Sequence, residues 1–132
     1  MERLAMKKVL VVDDNYSCRI LAQKNVERIG IVPQNIMVVN DGIAAVTEAT
    51  KEAFDVIIMD VKMPNMDGIT AAQEIKSHYG KDTPKIIVYT ATRFVKEQAG
   101  SEIFDGVIQK PFKSEDFTKT LLEALNIPST QA

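Results

Sequence analysis

The sequence predicts a single α/β domain, a (βα)5 chain forming a doubly wound, five-stranded parallel sheet with helices on both faces. Three observations predict it. Short apolar runs alternate with helix-period segments five times along the 132 residues. The leading runs, such as Val9–Val12, are continuously apolar, as strands covered on both faces must be. Polar residues then stand at the ends of those runs, where open parallel sheets bind ligands.

Taken in order, Lys8–Val12 reads as the first strand, stopped by Asp13-Asp14-Asn15. A helix from Tyr16 to Ile29 turns Cys18, Ala22, Val26 and Ile29 inward, at steps of three and four, and Gly30 ends it. Pro33 falls in the loop before a second strand, Ile36–Val39. Asn40-Asp41-Gly42 is a turn, and a second helix runs to about Glu52 with Val46, Ala49 and Ala53 on one side. Phe54–Met59 is the third strand and leads into Asp60. Met63-Pro64-Asn65-Met66-Asp67-Gly68 breaks regular structure and reads as a loop, followed by a helix over Ile69–Tyr79. Lys85–Tyr89 is the fourth strand, leading into Thr90. A short helix is expected between Phe94 and Ala99. Gly106–Gln109 is the fifth strand, followed by Lys110-Pro111. Ser114 is expected to cap the last helix, with Glu115 and Asp116 in its positive first turn and Phe117, Leu121, Ala124 and Leu125 on its apolar face. Helical crossovers between strands require a right-handed, parallel arrangement. The domain is expected to occupy residues 1–126, with 127–132 as a short tail.

Composition narrows the function classes. Apolar residues make up 45% and charged residues 26% of the chain, ordinary for a globular protein. The formal net charge is −2 from 16 basic and 18 acidic residues, and no basic stripe recommends nucleic acid as a direct partner. The apolar runs are strand-length, too short for a bilayer, and the start has no signal-peptide pattern. A cytoplasmic location is the expectation. The only cysteine, Cys18, leaves no internal disulfide, and the single His78 leaves no histidine cluster.

Asp13, Asp14 and Asp60 would meet at one edge of such a sheet, beside Thr90 and Lys110. Converging acids repel one another and call for a cation or raised pKa values. Magnesium suits them, since it takes a few carboxylates and keeps several waters. A phosphoryl group moving to a carboxylate gathers charge on its equatorial oxygens. The Thr90 hydroxyl and Lys110 ammonium are suited to stabilise that charge, and Asp60 is suited to be the nucleophile. Each residue has a plainer reading. Asp13 and Asp14 could cap the first helix, Asp60 could serve a turn, Lys110 could be a solvated lysine, and threonine is common in strands. Their joint placement at strand ends favours the chemical reading.

Four segments carry a more specific likeness: VLVVDDN (Val9–Asn15), DVIIMDVKMPNMDG (Asp55–Gly68), IIVYTA (Ile86–Ala91) and QKPF (Gln109–Phe112). Over nearly its whole length the chain resembles the receiver domain of two-component response regulators, both the stand-alone kind and those attached to hybrid histidine kinases. The resemblance implies a flavodoxin-like, CheY-like sheet in order 2-1-3-4-5 flanked by five helices. It implies that Asp60 is phosphorylated by a histidine kinase or a histidine phosphotransfer protein and that this switches binding of a downstream protein. It further implies magnesium on Asp14, Asp60 and the Lys62 carbonyl, with Asp13 acting through a metal-bound water. Lys110 and Thr90 would contact the phosphoryl oxygens, the Lys110-Pro111 bond would be cis, and Lys62 and Thr92 would border the pocket and tune hydrolysis. Such a domain assists its own phosphorylation and dephosphorylation without being an enzyme in the ordinary sense, and is a monomer or weak dimer.

Two departures from the family pattern stand out. Val107 occupies the place of a frequent switch aromatic. The interval from Thr90 to Lys110 is shorter than usual, so the fourth helix is expected to be short or irregular. The competing readings are a pseudo-receiver that binds partners unphosphorylated, a phosphatase with an Asp nucleophile, and a flavin carrier. The complete acidic set disfavours the first. The second needs an acid where Lys62 stands. The third needs a phosphate loop where Asp13 and Asp14 stand.

Overall fold

The computed structural model describes residues 2–91 and 101–128. The chain opens with a short helix, α1 (Glu2–Ala5). There follow β1 (Val9–Val12), α2 (Tyr16–Arg28), β2 (Ile36–Val39), α3 (Gly42–Lys51), β3 (Val56–Met59), α4 (Gly68–Tyr79), β4 (Lys85–Thr90), β5 (Gly106–Gln109) and α5 (Ser114–Ala124). The expected helix over Phe94–Ala99, and Thr92 with it, lie outside the described residues.

All five strands are parallel, in the order β2-β1-β3-β4-β5. The strands at the centre are the most apolar. Every residue of β1 and β3 is buried, whereas β2 is half-buried throughout and β5 buries only Ile108. Side chains alternate between the faces, as the period of two demands. Val9, Val11, Val56, Ile58, Ile87 and Tyr89 point to the layer formed by α2 and α5, where they meet Ala22, Val26, Phe117 and Leu121. Leu10, Val12, Ile57, Met59 and Ile86 point to the layer of α3 and α4, against Ala45, Ala49, Ala71, Ala72 and Ile75. The small alanines let these helices lie close to the sheet. Leu4 of α1 and Ile127 beyond α5 are both buried in the α2/α5 layer.

Two local expectations change, and Pro33 keeps its expected place before β2. Ala53 does not join the buried face of α3, because the helix stops at Lys51 and leaves Ala53 exposed; Ala45 takes the inward position. Ser114 does not cap α5 but is its first residue. Lys113 holds the cap position without a side-chain bond, and the Ser114 hydroxyl instead accepts from the Arg28 guanidinium of α2 at 3.0 Å. Pro33 opens a 3-10 turn, Pro33–Asn35. Gly30 follows α2 as expected, at φ 113. No described helix is long and apolar enough to cross a membrane.

Candidate functional site

Strand β1 ends where Asp13 begins, and the sheet pairing carries on far enough to fix it. The Asp13 N–H donates to the Val39 carbonyl at 3.2 Å. Its carbonyl accepts from the Arg19 guanidinium at 2.8 Å, and its Oδ1 accepts from the Asn15 N–H at 2.9 Å. Asp13 is wholly buried, whereas Asp14 is exposed. Neither acid caps α2. That task falls to Asn15, whose Oδ1 accepts from the Cys18 N–H at 2.9 Å. The plainer reading of the two acids therefore loses its ground, and both are left to the rim.

Asp60 follows β3 in the same way. Its N–H donates to the Val12 carbonyl at 2.9 Å, which locks it beside the end of β1. One carboxylate oxygen accepts from the Val61 N–H at 2.8 Å. Because β1 and β3 are neighbours, carboxylate oxygens of Asp13, Asp14 and Asp60 all lie within 4.8 Å of one another.

Lys110 closes the group from the far side of β4. Its N–H continues the β4–β5 ladder by donating to the Thr90 carbonyl at 2.9 Å, and the Lys110-Pro111 peptide bond is cis, as expected. The ammonium donates to Asp13 Oδ2 at 2.6 Å and to Asp60 Oδ2 at 3.3 Å. It also lies over the Tyr89 ring, 4.4 Å from the centroid, a favourable place for a cation. The Tyr89 phenol is anchored in turn, donating to the Cys18 carbonyl at 3.2 Å, and burial pushes its pKa up.

The charges respond to one another. Burial raises the Asp60 pKa above the usual carboxylate range; nearby Lys110 pulls it back, and Asp13 pushes it up again. Burial works against the charged form of Lys110, but the Asp13 hydrogen bond and the two acids outweigh it, so its pKa is raised and the ammonium persists. With all groups ionised, three carboxylates and one ammonium leave a charge of −2 in a small volume. Hard oxygen donors, an excess of two negative charges and one solvent-exposed acid are what a small divalent cation requires.

The structure thus brings Asp13, Asp14, Asp60 and Lys110 together. Thr90 ends β4, is buried, and meets Lys110 through its backbone; the Gln109 amide also donates to its carbonyl at 3.0 Å. Lys62 is exposed on the loop after Asp60, and Val107 is 39% exposed on β5. Tyr89 and Arg19 were not singled out from the sequence. Arg19 sits one helical turn after Asn15, a spacing that could have linked it to the end of β1. Tyr89 is the one aromatic residue in the five described strands, but nothing in the sequence marks it as the neighbour of Lys110.

Comparison with known proteins agrees with this geometry. Residues 9–122 match the family model for the response regulator receiver domain. Among curated relatives, the sensor protein GacS of Pseudomonas syringae is 31% identical over 121 residues, which are 88% of this chain and 13% of GacS. The chain spans only a small fraction of the curated relatives that it matches most strongly. Among solved structures, the chemotaxis response regulator CheY4 of Vibrio cholerae superposes with a TM-score of 0.78 at 33% identity, covering 91% of this chain and 99% of that one. The response regulator TrrA of Thermotoga maritima, solved with Mg2+ and BeF, gives a TM-score of 0.78 at 27% identity and covers 91% of this chain and all of its own. TrrA has also been solved in complex with the histidine kinase ThkA, and that structure gives 0.79 at 28% identity, covering 91% of this chain and 99% of the matched one. A receiver's sheet order, a matching family model and acids at the expected strand ends lead to one conclusion: this chain belongs to the response regulator receiver domain family of two-component signalling.

Proposed function

We propose that this domain accepts a phosphoryl group on Asp60 from a phosphohistidine and thereby switches its binding of a partner protein. The observation that carries the proposal is the meeting of three carboxylates with the Lys110 ammonium, 2.6 Å from Asp13 and 3.3 Å from Asp60. An Asp60 carboxylate oxygen attacks phosphorus. A P–O bond forms, the P–N bond to the donor imidazole breaks, and the imidazole leaves with its electron pair and takes up a proton. The product is an acyl phosphate. Lys110 and the Thr90 hydroxyl then bond to the phosphoryl oxygens.

Asp14, Asp60 and the Lys62 carbonyl would hold Mg2+, with Asp13 acting through a water. When bound, Mg2+ supplies positive charge that offsets the acids and the incoming phosphoryl group. Burial of Asp13 and Asp60 at the rim keeps the reacting carboxylate in a low-dielectric setting, where Lys110 acts more strongly than it would in water. The phosphoryl donor is a histidine kinase or phosphotransfer protein, a reading supported by the complex of TrrA with ThkA. The functional unit is residues 1–126, working in the cytoplasm as a monomer or weak dimer. A phosphatase of the Asp-nucleophile class is disfavoured, since Lys62 stands where a second acid would serve.

Incubation with Mg2+ and acetyl phosphate, followed by mass spectrometry, tests the reading. One added phosphoryl group is expected on the wild-type protein and none on Asp60→Ala. An unmodified wild type, or an equally modified Asp60→Ala, would sink it.

A further inference from the structure

A second layer of contacts surrounds the rim. Asp41, in the turn after β2, caps α3 with one carboxylate oxygen, which accepts from the Ala44 N–H at 2.7 Å. Its other oxygen accepts from the Asn65 side-chain amide at 2.9 Å. Asn65 belongs to the loop between Asp60 and α4, and its φ of 69 lies in the left-handed region that asparagine tolerates better than most residues. Beside this contact there is no room to spare. A Cβ on Gly42 would stand 2.3 Å from the Met66 carbonyl oxygen.

The two ends of the same loop are fastened to each other just beyond Asp60. The Gly68 N–H donates to the Val61 carbonyl at 2.8 Å, and a Cβ on Gly68 would stand 1.9 Å from the Asp60 carbonyl oxygen. The loop over residues 61–67 is therefore closed at its base, beside Asp60, and held at its tip by the entrance to α3. Asp41 is not one of the converging acids. Among the described residues, its side-chain hydrogen bond to the loop is the one from Asn65.

We propose that Asp41 is a positioning residue for the phosphoryl-accepting site. Its carboxylate, acting through Asn65, sets the path of the loop that presents the Lys62 backbone to the cation. The inference builds on the magnesium reading given above. It also assigns a reason for one acid to carry two bonds: the first starts α3, and the second ties α3 to the loop that follows Asp60. Movement of that loop and of α3 is thereby coupled.

Two substitutions separate the tie from the cap. Asp41→Ser keeps a good N-cap but is too short to reach Asn65. Asn65→Gly keeps the left-handed backbone and removes the amide. Hydrogen exchange of the Gly68 and Met66 amides in metal-free protein, and calorimetric titration with Mg2+, read the outcome. Each variant is expected to exchange these amides faster and to bind Mg2+ about five- to tenfold more weakly, a fraction of what one charge-assisted hydrogen bond is worth, because the bond acts on the cation through the loop. The double variant should be no worse than either single one. The swapped pair, Asp41→Asn with Asn65→Asp, should recover both readouts. Wild-type exchange and Mg2+ affinity in Asp41→Ser would overturn the proposal while leaving the functional reading intact. A wild-type protein that binds no Mg2+ would instead overturn the functional reading, and with it the purpose assigned to Asp41.

Discussion

The two halves of the site are built differently. The negative half belongs to the centre of the sheet. Asp13 and Asp60 follow β1 and β3, whose residues are all buried, and each is held by backbone hydrogen bonds. The positive half comes from the margin. Lys110 follows β5, an edge strand with only Ile108 buried, and reaches inward across Tyr89 on a long flexible stem. A short side chain on a rigid strand end places charge accurately but cannot retreat from its neighbours. A long side chain from an edge strand can follow a moving charge. The acids are thus fixed and mutually repelling, and the ammonium is the adjustable part.

Three substitutions would break or sharpen this contrast. The largest effect is expected from Gly68→Ala, which attacks the rigid half through its backbone. A methyl group 1.9 Å from the Asp60 carbonyl oxygen forces the start of α4 and the end of β3 apart. A loss of about 3 kcal/mol is expected by urea unfolding. A near-neutral result would show that the junction gives way easily.

Next comes Lys110→Met, which keeps an apolar stem over Tyr89 but removes the counter-charge from two buried acids. In metal-free buffer at neutral pH it should cost about 2 kcal/mol, and added Mg2+ should restore part of the loss. Equal destabilisation with and without Mg2+ would assign the effect to packing alone.

The smallest effect has the opposite sign. Burial, followed by the push of Asp13, raises the Asp60 pKa despite Lys110. A carboxyl whose folded pKa exceeds its unfolded value favours the fold in its protonated form. That contribution is complete below the unfolded pKa, about 4, and is lost as the pH rises through the folded value. At neutral pH the ionised Asp60 therefore costs stability, and Asp60→Asn should gain on the order of 1 kcal/mol in metal-free buffer, or about 3–5 °C in Tm for a chain of this size. The gain should vanish on acidification below about pH 4. Thermal melts across that range would check both the sign and the window.

The sequence revealed the site more fully than it revealed its supports. Asp13 and Asp60 each follow a continuous apolar run, so the pattern alone placed them at the rim, whereas Lys110 follows the less apolar Gly106–Gln109 and was marked by Pro111 after it as well. The family likeness supplied the strand order that makes them neighbours, which no local pattern could. The supports were harder to read because a short polar side chain has several possible partners nearby. Ser114 looked like a cap, yet Arg28, distant in sequence, engages its hydroxyl. Asp41 looked like part of a turn, and its second bond to Asn65 exists only once α3 and the loop after Asp60 are packed together. Ala53 followed the helical spacing but lay past the end of the helix.

The spacing of these charged groups along the chain has a final consequence. Lys110 is separated by 97 residues from Asp13 and by 50 from Asp60, so the unfolded polypeptide feels almost none of their mutual forces. The crowding of Asp60 against the adjacent pair Asp13 and Asp14 is a property of the native state alone. Any ion that relieves it must bind the native state in preference to the coil, and so adds to the free energy of folding by mass action. The melting point of the resting domain should therefore track the activity of the surrounding divalent salt, so that thermal stability gauges how strongly the rim takes up a cation.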